Sequence, residues 1–137
     1  MSPYLAVLIA GVVSMAIGSL WYSPILFGKH WMNLSGICAG KMEKAKADGV
    51  WHLYALALLN AFLMAGAVFY VLKLASYPTL SKDLEVAFVL WMGFVATTLF
   101  SSVIWEKKPV ALYLINAGNY LVTIFSSAIV YYLLRAI

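Results

Sequence analysis

The sequence predicts an all-α polytopic membrane protein, a bundle of four transmembrane helices, on three observations: high apolar content, scarce charge, and the placement of that charge. Of 137 residues, 65% are hydrophobic and 10% charged, against about 45–50% and about 25% in an ordinary soluble domain. The charged residues leave four long uncharged runs, 1–28, 49–72, 86–105 and 109–134. Each run suffices to cross about 30 Å of hydrocarbon, which takes about 20 helical residues. The runs are continuously apolar rather than alternating, which points away from barrel strands, and a helix satisfies its own backbone hydrogen bonds in lipid. The prediction is therefore a single transmembrane domain over 1–137, with helices at about 4–26, 51–72, 86–105 and 109–134 and a polar cytoplasmic loop at 27–50.

The first run has no Lys or Arg ahead of its apolar stretch, unlike the basic start of a secretory signal, so it is read as a helix that the protein keeps. Gly11, Ser14 and Gly18 are spaced along it so that another backbone can approach closely. Trp21-Tyr22-Ser23-Pro24 sets two interfacial aromatics before a proline that kinks the helix or loosens its last turn. Phe27 to Trp31 then turns the chain along the headgroup layer, with Lys29 placed to meet phosphates. The stretch from Lys41 to Gly49 is polar and helix-prone, and its closing glycine suits a C-cap. Cys38 is the one cysteine, which excludes an internal disulfide and leaves it as a small interfacial filler.

The second span carries Ala57, Ala61 and Ala65 at four-residue spacing, with Gly66 and Asn60 beside this ridge. Tyr77-Pro78 breaks the chain before the third span, which aligns Gly93, Thr97 and Ser101 on one face with Thr98 and Ser102 alongside. In the fourth span Asn116, Asn119, Thr123 and Ser126 form one stripe. Such a stripe should face protein rather than acyl chains.

Lys29, Lys41, Lys44, Lys46, Lys107 and Lys108 lie at one end of the spans, and Lys73, Lys82 and Arg135 at the other. By the positive-inside rule this bias predicts both termini outside and the first and third loops in the cytoplasm. The formal charge of +4 is then a signal for topology and lipid headgroups, with no basic stripe for nucleic acid. The predicted spans contain no Asp, Glu, Lys or Arg, which argues against proton-coupled antiport through a membrane carboxylate. No catalytic triad or phosphate loop is recognisable. His30 and His52 share the cytoplasmic boundary, but without a third ligand they read as headgroup contacts, so no cofactor or metal is expected.

Several pieces occur together and in order: Tyr22-Ser23-Pro24, Phe27-Gly28-Lys29 and Trp31, Trp91-Met92-Gly93-Phe94-Val95, Trp105-Glu106-Lys107-Lys108-Pro109, and Ile115-Asn116-Ala117-Gly118. Together they resemble the DUF1761 family of small bacterial membrane proteins, and the resemblance spans nearly the whole chain. It implies a compact four-helix membrane protein, in the plasma membrane of a bacterium, without an assigned activity. Asn119 departs from the aromatic more often expected there and adds polarity to the fourth span.

Two function classes follow. The first is a non-enzymatic structural or accessory protein, homo-oligomeric or part of a larger membrane complex, whose small and polar faces serve helix association. The second is a small-solute transporter or lipid-binding module. Counted at about 1.5 Å per residue, Asn60 and Asn119 lie roughly 15 Å below the cytoplasmic boundary, and Asn116 roughly 10 Å below it, near Tyr22. The expected site is thus a polar layer of Tyr22, Ser23, Asn60, Thr98, Asn116 and Asn119 beneath a mouth bordered by Trp105 and Glu106. Membrane lipids are the expected contacts. A cavity joining Asn116 to the cytoplasmic surface favours the second class, and a dry interior the first.

Overall fold

The computed structural model describes residues 2–37 and 39–137; Cys38 lies outside them. Six helices follow one another: α1 (Pro3–Trp21), α2 (Gly28–Ser35), α3 (Ala39–Asp48), α4 (Trp51–Ala75), α5 (Leu80–Ile104) and α6 (Val110–Leu134). Among the described residues there is no strand. Four of the helices, α1, α4, α5 and α6, are long and apolar enough to cross a membrane. Their outer faces carry large exposed apolar side chains such as Leu8, Leu56, Leu63, Phe94 and Leu114. That is the surface a hydrocarbon solvent requires.

α6 is the hub, packed against α1, α4 and α5, and α1 also packs on α4. Its buried positions, from Leu112 and Ala117 through Thr123 and Ile124 to Ser127 and Ala128, recur at helical spacing along one broad stripe. The dense packing is concentrated toward the end that holds both chain termini. Ala6 and Ala10 of α1 meet Ala65 and Phe69 of α4, while Val68 and Leu72 meet Ala87 of α5 and Ile124 and Ala128 of α6. Small residues permit this approach, since Gly11 lies against the Phe62 ring and a methyl group at Gly66 would touch Val7 at 3.9 Å. Toward the opposite, lysine-rich end, α1, α4 and α6 separate.

Three boundaries differ from the sequence reading, each for a physical reason. The first helix stops at Trp21 rather than near 26, because the ring of Pro24 cannot follow the carbonyl of Leu20 in a continued helix; the Ser23 hydroxyl donates to that carbonyl at 2.6 Å instead. The third spanning helix begins at Leu80, not near 86. Thr79 caps it by accepting from the Lys82 amide at 3.4 Å, and Asp83 occupies its first turn, where the helix dipole favours an anion. Lys82, Asp83 and Glu85 therefore belong to a membrane-length helix, which corrects the expectation of spans free of ionisable groups. Finally, α5 contains a π turn over Trp91–Ala96. The wide turn brings Trp91 and Ala96, five residues apart, to the α6 side, where the Trp91 indole donates to the Ala117 carbonyl at 2.8 Å and Ala96 O accepts from the Tyr113 hydroxyl at 3.1 Å.

Candidate functional site

The separation of α1, α4 and α6 at the lysine-rich end leaves two adjoining cavities. The deeper one, about 440 Å³, lies between those three helices and is lined by Ser14, Met15, Gly18 and Ser19 of α1, by Ala57, Asn60, Ala61 and Met64 of α4, and by Asn119 and Thr123 of α6. The shallower one, about 880 Å³, lies at the lysine-rich end beside α2 and α3 and is lined by Pro24, Gly28, Lys29, Trp31, Met32, Glu43, Lys46, Leu99 and Asn116. Tyr22, Tyr54 and Tyr120 line both. Small side chains on α1 and α4 hold the deep cavity open, since Gly18, Ala57 and Ala61 cannot fill it.

The turn after α1 builds the rim. The Phe27 amide donates to the Trp21 carbonyl at 3.0 Å and the Gly28 amide to the Ser23 carbonyl at 2.9 Å, so α2 doubles back beside the end of α1. Glycine is required at position 28, because a Cβ there would overlap the Tyr22 carbonyl and reach the Ser23 carbonyl oxygen at 2.7 Å. The fold-back sets Trp31 edge-on to Tyr22, with ring centres 5.7 Å apart. The Tyr22 hydroxyl donates to Asn116 Oδ1 at 2.7 Å, and the Trp21 indole donates to the Ile115 carbonyl at 2.9 Å. Both bonds tie the end of α1 to α6, and hydrogen bonds of this kind within membranes are worth about 0.6 to 1.7 kcal/mol each.

The structure brings some of the sequence-predicted residues together and separates others. Tyr22 and Asn116 are bonded, while Asn60 and Asn119 line the deep cavity from opposite walls. Asn119 Oδ1 is enclosed beside Gly18 without a donor. Asn60 is exposed along the cavity rather than packed inward. Thr98 is displaced from the expected layer: it is exposed, and its hydroxyl donates back to the Phe94 carbonyl, so it serves its own helix. Trp105 and Glu106 are displaced as well. Trp105 is 81% exposed, Glu106 pairs with Lys108 at 3.6 Å on the surface, and the rim falls to Lys29, Trp31 and Lys46 instead. Ser23 turns its hydroxyl to the Leu20 carbonyl and contributes its backbone to the turn. His30 and His52 are both exposed, and among the described residues no three His, Cys, Asp or Glu side chains cluster.

One constellation was missed by sequence reasoning. At the opposite end Asp83, 0% exposed, accepts from Arg135 Nη1 at 3.1 Å. The same guanidinium donates to the carbonyls of Tyr77 at 2.7 Å and Pro78 at 2.9 Å, and it lies over the Tyr132 ring at 4.6 Å. The early start of α5 was the available signal: Thr79 followed by Asp83 is a helix-opening pattern that the charge-bounded run concealed.

The chain matches the family described as a protein of unknown function (DUF1761) over residues 5–132. No curated protein and no solved structure matches it.

Proposed function

This chain belongs to the DUF1761 family, and on that premise we propose that it is a membrane module that binds a single anionic amphiphile, with the headgroup at the lysine-rich rim and the chain in the deep cavity. One observation carries the reading: the cavity system runs from the Asn116 layer to Lys29 and Lys46 at the surface. Its chemistry changes along that path. Lys29 and Lys46 against Glu43 leave the outer part net positive, whereas the deep part is lined by small apolar, hydroxyl and amide side chains. A charged head with a long tail matches this gradient, and a uniformly polar solute does not. The six-to-three distribution of basic residues supports placing the rim on the cytoplasmic face of a bacterial plasma membrane. Self-association through the exposed face that carries Asn60 is the second reading, supported by an amide with no neighbour to shield it from lipid.

The test is uptake of 5-doxyl-stearate by the purified protein in mild detergent, read as quenching of tryptophan fluorescence. Saturable quenching that oleate reverses is expected. Lys29→Ala combined with Lys46→Ala should weaken binding about tenfold or more, at about 1 kcal/mol for each lysine near an anionic headgroup. Quenching that never saturates, or an affinity unchanged in the double variant, would refute the reading.

A further inference from the structure

Resting on the amphiphile reading, we infer that the deep cavity is selective for a chain carrying a hydroxyl group near its middle, anchored between Asn60 and Asn119. Both amides lie nine residues from the lysine-rich ends of their helices, Trp51 for α4 and Val110 for α6, hence about 14 Å deep. An unsubstituted acyl chain has nothing to offer an amide at that level. Yet two amides line the cavity there, and each is left wanting: Asn119 Oδ1 has no donor, and Asn60 is exposed at a depth where its surroundings are hydrocarbon. None of the side chains lining this cavity is charged, so the complementary group is neutral. A hydroxyl is small enough for a cavity already occupied by a chain, and it both donates and accepts, so it satisfies an amide oxygen on one wall and an amide nitrogen on the other.

The depth fixes the position of the group along the chain. An extended chain advances about 1.3 Å per carbon, given C–C bonds of about 1.5 Å. With the carboxylate held by Lys29 and Lys46, a depth of about 14 Å corresponds to about carbon 11 or 12. The anchor is therefore specific for a mid-chain hydroxyl over one next to the head. No bond is made or broken; the selection is purely one of binding.

The experiment compares stearate, 2-hydroxystearate and 12-hydroxystearate as competitors of the doxyl probe, in the wild type and in Asn60→Leu and Asn119→Leu variants. The wild type should bind 12-hydroxystearate about three- to tenfold tighter than the other two acids, the range that one membrane hydrogen bond supplies. Each variant should lose that preference and keep its affinity for stearate. The exposed Asn60 makes the first variant safe for folding, so a misfolded Asn119→Leu protein would leave the test intact. Equal affinities for stearate and 12-hydroxystearate in the wild type would overturn the inference while leaving the amphiphile reading standing, as would a preference that survives Asn60→Leu. Binding of none of the acids would remove both. A protein in which Asn60→Cys forms a disulfide between two copies, and which takes up no fatty acid, would assign the two amides to a helix interface and overturn the inference.

Discussion

Replacing Arg135 with Ala should destabilise the protein by about 3 kcal/mol, more than a hundredfold in the ratio of folded to unfolded molecules. The substitution removes three hydrogen bonds, to Asp83 Oδ2 and to the carbonyls of Tyr77 and Pro78. The larger effect is what remains. Asp83 is 0% exposed and its Oδ1 already lacks a partner, so without the guanidinium a carboxylate stays buried and uncompensated, a loss of about 3–5 kcal/mol. The lower figure applies because the Arg135 side chain is 24% exposed, so water can enter the space it vacates. Asp83→Asn should cost only about 1 kcal/mol, since Arg135 retains both carbonyls and its contact with water. The double variant should recover about 2 kcal/mol relative to the summed single losses, because the two side chains touch. Equilibrium unfolding in mixed detergent micelles, followed by tryptophan fluorescence, gives all four stabilities. A loss below about 0.5 kcal/mol for Arg135→Ala, or a greater loss for Asp83→Asn, would refute the asymmetry.

Gly28→Ala should loosen the fold-back of α2, because its Cβ meets the carbonyls of Tyr22 and Ser23; faster proteolysis between α1 and α4 is expected, with Gly40→Ala, which meets nothing within 4 Å, as the unchanged control. Tyr22→Phe removes the bond to Asn116 and should lower stability by about 1 kcal/mol in the same unfolding assay, whereas Thr98→Val, on an exposed face, should change it by less than about 0.5 kcal/mol. For topology, a single cysteine replacing Lys44 in a Cys38→Ser background should react with thiol reagents only after the membrane is opened, and one replacing Ser2 should react in intact cells; the reverse pattern would invert the assignment.

Much of the candidate site was legible, and the parts that were not share a cause. Asn116 and Asn119 were found because helical period places them on one stripe of the most apolar-flanked helix, and Tyr22 because a proline two residues later marks a helix end. Thr98 misled because a hydroxyl in a helix has a partner that spacing does not reveal, the carbonyl four residues back. Trp105 and Glu106 misled for a different reason. Their level along the membrane normal was readable, but the direction they face depends on the rotation of α5, which the π turn at Trp91–Ala96 alters. Asp83 went unrecognised because charge was taken to end a span, whereas an aspartate paired with an arginine from another helix can be buried within one.

Composition and the spacing of charges alone determined that this chain has four membrane-length helices, which end carries the lysines, and that the helices meet through small residues. These are properties of each segment against its solvent, summed locally along the chain, so a sequence contains them. Only the tertiary structure decided that the bundle packs tightly at the end bearing the termini and opens at the other. The same holds for the fold-back of α2 that makes Lys29 and Trp31 a rim, and for the meeting of Arg135 with Asp83 across 52 residues of chain. Each of these depends on how far two helices are apart and how they are rotated. Both quantities come from the fit of Gly11 to Phe62, Gly18 to Asn119 and Gly28 to the Tyr22 carbonyl, which no single segment contains.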